Sequence, residues 1–138
     1  MKIIVDTSVW SLAMRREEAS HSEHIKELRL LIEEFRVQMI GPVRQEILSG
    51  IRSKKQFDKL KGYLKTFPDL PIITEDYEKA AEFLNLCRSK GLQGSNTDFL
   101  ICSLCTRNNF PLFTMDNDFN LFSQYIPIKL HQIRERPA

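Results

Sequence analysis

No apolar run in this 138-residue sequence approaches the ~20 residues of a membrane span, so a transmembrane helix is not expected. The N-terminus, MKIIVDTSVW, reaches an aspartate too early for the apolar stretch of a signal peptide. Internal repeats, low-complexity segments and linkers are absent. At a length typical of one domain, this leaves a single unit spanning 1–138. Cysteines are scarce and odd in number: Cys87, Cys102 and Cys105. With no export signal, they fit reduced thiols in a cytoplasmic protein. Cys102 and Cys105 form the sole CxxC, inside the apolar run FLICSLC with no Gly or Pro beside it, so buried small hydrophobes are expected there rather than zinc or redox chemistry. His21 and His24 have only Glu23 between them as a third ligand and read as a surface loop or helix start. A strong excess of one charge is also missing. A net charge of +2 says nothing about partners, while 42% hydrophobic and 28% charged residues describe a soluble globular chain.

What is present alternates between strand and helix. Residues 2–5, 37–40, 70–73, 111–114 and 126–130 read as five short strands, the last at an edge because of Pro127. Ile25, Leu28, Ile32 and Phe35 recur at helical spacing, with Lys26, Glu27, Arg29, Glu33 and Glu34 on other faces. A short helix is expected over about 43–49, opened by Gly41-Pro42 and ended by Gly50. A basic segment follows, with Phe57, Leu60, Leu64 and Phe67 as its buried stripe. Thr74 is expected to cap a helix whose first turn carries Glu75 and Asp76, and whose inner face is Tyr77, Ala80, Ala81, Leu84 and Cys87. A helix over about 97–108, capped by Ser95 or Asn96, and a short one near 117–122 complete the series. This alternation predicts a three-layer α/β/α fold with a mostly parallel five-stranded sheet.

In such a fold each helix starts near the carboxyl end of the sheet, where open α/β sheets place their ligands. Asp6 ends the first strand, Glu46 lies on the helix after the second, Asp98 opens a helix, and Asp116 follows the fourth strand. Single acids at helix starts offset the helix dipole, and Asp76 and Asp118 read that way. Four on one rim repel each other unless a cation holds them, which points to a divalent-metal site and metal-assisted phosphodiester hydrolysis.

The segments IIVDTSVW, VRQEILSG, NTDFLICSLC and LFTMDNDF together resemble the four motifs of PIN domains, specifically the VapC-type ribonuclease toxins of toxin–antitoxin pairs. The likeness covers nearly the whole chain. Phe99 departs from it, standing where such toxins often carry a small residue, as do Cys102 and Cys105 at positions often alanine-like. The resemblance implies a parallel sheet, a homodimer, and a cognate antitoxin whose segment covers the active groove.

Hard oxygen ligands select Mg²⁺, or Mn²⁺, over softer ions. Asp6 and Asp98 are assigned as direct ligands of the principal metal, with Asp116 binding directly or through water. Glu46 is assigned to hold a water at the ion or to position the attacking one. Thr114, Asp118, Thr7 and Ser8 are supporting residues. Arg15, Arg16, Arg44 and Arg52 are candidate RNA contacts; the Lys54–Lys65 segment is either a further RNA contact or a solvated face. Trp10 either stacks on a base or belongs to the core or a dimer interface. The leading expectation is therefore a Mg²⁺-dependent endoribonuclease toxin. The alternative is a non-catalytic acid-rimmed module that binds a basic protein segment or RNA. A phosphoacceptor domain of receiver or haloacid-dehalogenase type fits less well, because Asp6-Thr7-Ser8 lacks the second acid of DxD.

Overall fold

The computed structural model describes residues 1–14 and 22–135. The chain begins with β1 (Ile3–Val5), whose three residues are all buried, as befits a strand covered on both faces. Asp6 turns it directly into α1 (Thr7–Ala13), and α2 (Glu23–Glu33) follows. After β2 (Val37–Gln38) come α3 (Gly41–Leu48), α4 (Lys54–Leu64), α5 (Thr74–Ser89) and α6 (Asn96–Asn108). The chain then forms β3 (Leu112–Phe113) and α7 (Asp118–Phe122).

The sheet is parallel with order β2-β1-β3, Ile3 pairing with Val37 and Val5 with Phe113. The crossover from β1 goes to one side and the return from β2 to the other. Right-handed connections therefore lay helices on both faces, and the direction switches between β1 and β3. Crevices for ligands open at such switch points, beyond the carboxyl ends of the strands.

Five strands were expected and, among the described residues, three form. In place of the other two stand isolated parallel bridges at the two edges, Met39 with Asp69 and Leu112 with Leu130. Prolines explain the truncation. Pro68 and Pro71 flank the first bridge and Pro127 precedes the second, and none can donate to a ladder.

The helices follow their apolar stripes with instructive departures. Leu64 and Phe67 are buried and Phe57 and Leu60 half-buried, so the lysines between them face outward as expected. Phe35, expected on the inner face of α2, lies beyond the helix end at φ 56 and is 84% exposed. Glu27, expected on an outer face, is instead fully buried. It accepts from Arg134 Nε and lies 2.6 Å from His131 Nε2, fastening the C-terminal segment to α2. On α5 Ala80 and Cys87 are buried and Leu84 half-buried as expected, Asp76 and Phe83 complete the inner face, and Tyr77 and Ala81 are exposed instead. The cap of α5 is likewise not Thr74: the Asp76 carboxylate reaches back to accept from the Ile73 amide at 2.9 Å. Trp10 is buried and meets the Phe67 ring edge-on at 5.4 Å, a core contact. All three cysteines are free and buried. Burial pushes each thiol's pKa up, helped at Cys102 and Cys105 by the nearby Asp6 charge, so they act as small apolar groups rather than nucleophiles. Among the described residues no helix is long and apolar enough to cross a membrane.

Candidate metal centre

Asp6 sits where β1 ends, in extended conformation, and its carboxylate caps α1. Its backbone is locked into the sheet by the Asp6 N–H, which donates a hydrogen bond to the Phe113 carbonyl at 2.8 Å. One carboxylate oxygen, Oδ2, accepts from the Ser8 hydroxyl at 2.7 Å and from the Thr114 hydroxyl at 2.8 Å. Ser8 Oγ in turn accepts from the Met115 amide at 3.0 Å, and Thr114 Oγ1 from the Asp116 amide at 3.0 Å. Two hydroxyls thus stitch the end of β1 to the end of β3 across the switch point. The segment that carries Asp116 is held in the same network that holds Asp6.

The other acids reach this place from different elements. Glu46, on α3, accepts from the Thr7 hydroxyl at 2.7 Å, which ties an exposed side chain to the residue after Asp6. Asp98 lies in the first turn of α6 in a reciprocal cap: its amide donates to Ser95 Oγ and its Oδ2 accepts from the Ser95 amide, both at 3.0 Å. Asp116 accepts from the Asp118 amide at 2.9 Å, so Asp118 supports the site through its backbone at the start of α7. Burial raises the Asp98 pKa, and the charges of Asp6 and Asp116 push it the same way against the lowering by Ser95. Asp98 therefore feels both other aspartates.

The fit to a hard cation rests on what these carboxylates leave open. In each, one oxygen is fixed by a hydroxyl or an amide. Among the described residues no hydrogen bond engages Asp6 Oδ1, Glu46 Oε2, Asp98 Oδ1 or Asp116 Oδ2. Among the described residues no three His, Cys, Asp or Glu side chains are gathered closely enough to hold a metal ion by themselves, so a cation at this rim would rely on one or two carboxylates and on water. An open, all-oxygen set suits Mg²⁺ or Mn²⁺, which need only one or two carboxylates and keep several waters.

Other expected site residues are placed less uniformly. Arg15 and Arg16 lie outside the described residues, as does His21. Arg44 is engaged away from solvent: it pairs with Asp69 at 3.0 Å and donates to the carbonyls of Leu64 and Phe67, joining α3 to the end of α4. Arg52 is exposed on the loop between α3 and α4, at the edge of an open groove of about 940 Å³ that Met14, Ile51 and Lys59 also line. His24 stacks on the Phe113 ring at 5.9 Å. The sequence reading missed α1 altogether. Its signal was the Asp6-Thr7-Ser8 triplet, an acid that caps the helix by accepting from the Ser8 amide and is itself pinned by the Ser8 hydroxyl.

The fold has solved counterparts of low sequence identity. FitAcB from Neisseria gonorrhoeae is 17% identical, covering 94% of this chain and 96% of that one, with a TM-score of 0.75. VapBC2 from Rickettsia felis, solved bound to a DNA fragment from its promoter, is 21% identical over 95% and 98%, also at 0.75. FitAB bound to an IR36 DNA fragment is 16% identical over 94% and 93%, at 0.73. No curated protein matches the sequence. The PIN domain profile matches residues 3–124, which is nearly the whole described chain, and the protein belongs to the PIN domain family.

Proposed function

We propose that this chain is a Mg²⁺-dependent endoribonuclease that serves as the toxin of a toxin–antitoxin pair. One observation carries the reading: Glu46 is tied to the residue after Asp6, Asp98 feels the charges of Asp6 and Asp116, and in each of these four carboxylates one oxygen is fixed while, among the described residues, the other has no hydrogen bond. The VapC-type motifs and the likeness to the VapBC2 assembly support a cognate antitoxin as partner.

A bound divalent cation would supply charge neutralisation at the phosphate and lower the pKa of water there. Asp6 and Asp98 would hold it, with Asp116 binding directly or through water. Thr114 and Ser8 keep the Asp6 carboxylate from turning, so that its open oxygen faces the rim in one orientation. Thr7 does the same for Glu46, whose open oxygen would hold a water at the ion or position the attacking one. Phosphates of single-stranded RNA would be drawn along the exposed Arg52, Lys55 and Lys59.

The test is purified protein with total RNA, with either Mg²⁺ or EDTA, beside Asp6→Asn. Discrete RNA fragments are expected only for wild type with Mg²⁺. RNA left intact by wild type with both Mg²⁺ and Mn²⁺ would overturn the nuclease reading in favour of a binding module. A second measurement addresses the basic face. If three phosphates are contacted, affinity for single-stranded RNA falls about 100-fold from ~50 to ~500 mM salt. Fluorescence anisotropy with a non-cleaving variant reads this directly, and a flat salt curve would remove Arg52 and the lysines from the RNA path.

A further inference from the structure

The acids Asp98 and Asp116 arrive on separate segments, and no hydrogen bond links the two residues. Beneath them lies a contact that the sequence motifs do not use. Phe99, next to Asp98, and Phe122, on the helix that follows Asp116, meet at 4.6 Å between ring centroids with a 41° tilt. Both rings are 1% exposed. Gly94 closes the arrangement from above: a Cβ built on it would stand 2.7 Å from Phe122 Cζ and 2.8 Å from Phe99 Cε2. Those distances are far inside van der Waals contact, so only glycine fits between the backbone and the rings. Gly94 is followed at once by Ser95, the residue that caps and is capped by Asp98.

We propose that the interlock of Gly94 with the Phe99–Phe122 pair sets the placement of Asp98 against Asp116, and through it the affinity of the rim for a divalent cation. Gly94, Phe99 and Phe122 are positioning residues in this scheme, acting through Ser95 and the start of α7. The large Phe99 is accommodated because Gly94, opposite it, has no side chain. Cores are close-packed, so a methyl group forced into this point displaces rings or loop rather than being absorbed. Either displacement moves one acid relative to the other. The inference rests on the metal reading of the rim.

The experiment measures Mn²⁺ binding from the electron paramagnetic resonance of the free ion, without RNA, for wild type, Asp98→Asn, Gly94→Ala, Phe99→Leu and the double variant Gly94→Ala/Phe122→Leu. Circular dichroism establishes which variants are folded. Gly94→Ala is expected to weaken binding about tenfold or more, the usual range for groups that orient metal ligands. Phe99→Leu, which leaves no clash, is expected to weaken it about threefold or more. The double variant, in which a trimmed ring lets its neighbour move aside, is expected to regain most of the loss. A merely structural role would lower melting temperature without this loss and recovery of affinity. Folded Gly94→Ala with affinity within about twofold of wild type overturns the inference; if that variant does not fold, Phe99→Leu within the same margin does so. Wild type that binds Mn²⁺ no better than Asp98→Asn removes the metal reading itself, and this inference with it.

Discussion

Asp98→Asn is expected to lower Mg²⁺-dependent RNA cleavage by at least about 10³-fold while raising the melting temperature of the metal-free protein. The two effects have one origin. The substitution keeps a carbonyl oxygen able to accept from the Ser95 amide, so the cap of α6 survives. It removes the charge that the open oxygen would offer a cation, and a loss of about 4 kcal/mol in transition-state stabilisation corresponds to that 10³-fold. Without metal, the same charge is a burden, because burial and then the charges of Asp6 and Asp116 raise the Asp98 pKa. The sign follows from linkage. An acid whose pKa is higher in the folded state contributes stability below its unfolded value, and that contribution is lost as pH rises through the folded value. The amide has no such loss. In EDTA, the melting temperatures of variant and wild type should therefore converge at about pH 3, below the unfolded value of about 3.9, and separate as pH rises. Added Mg²⁺ should then stabilise wild type more than the variant, since only binding to the folded state contributes. Scanning fluorimetry across pH, with and without metal, reads all three comparisons. Equal cleavage rates for variant and wild type would sink the assignment of Asp98.

How far the sequence made this visible depends on how local each signal was. The positions of Asp6 and Asp116 follow from apolar runs that end in an acid, and the topology then needs only parallel strands to put them on one rim. The hydroxyls of Thr7, Ser8 and Thr114 were legible as neighbours of the acids. Their partners, Glu46 across 39 residues and Asp6 across 108, were not. Arg44 looked like a free cation on a short helix; only the tertiary structure brings Asp69 and two carbonyls to it. The edge strands were over-read because apolar content was visible at 70–73 and 126–130, while the effect of their prolines on pairing depends on which strand lies beside them. The inner faces of α2 and α5 were read only in part, for a different reason. An apolar stripe counts only apolar residues, and each helix buries an acid, Glu27 or Asp76, whose cationic partner lies far along the chain.

Asp76 supplies the second large effect: Arg107→Met is expected to destabilise the protein by about 3 kcal/mol, lowering the melting temperature by roughly 10 °C. The Asp76 side chain is 1% exposed and receives Arg107 Nε at 2.6 Å and Nη2 at 2.9 Å, a two-pronged bond between the last turn of α6 and the first of α5. Methionine keeps the length and apolar stem but leaves a buried carboxylate with the Ile73 amide as its remaining donor. Breaking one side of a buried pair costs about 3–5 kcal/mol; the lower figure applies because Arg107 is 35% exposed and its charge is partly screened. In wild type, burial acts to raise the Asp76 pKa, but the Arg107 bond, the Ile73 amide and the Arg107 charge together outweigh it and the net shift is downward. A depressed folded value contributes stability above the unfolded pKa, and that stability is lost as pH falls through the folded one. The deficit of Arg107→Met should thus be largest at neutral pH and shrink below about pH 4, where the variant's carboxyl protonates and ceases to be a buried charge. Asp76→Asn/Arg107→Met should recover much of the loss, since an amide oxygen still caps Ile73 without carrying charge. Urea unfolding of the four proteins gives the coupling energy as a double-mutant cycle. A deficit that does not vary with pH would refute the ion pair as its cause. Arg107 lies at the end of α6 opposite to Asp98, so RNA cleavage per folded molecule should be unchanged, which separates the element that fastens the α5–α6 pair from the rim where the acids meet.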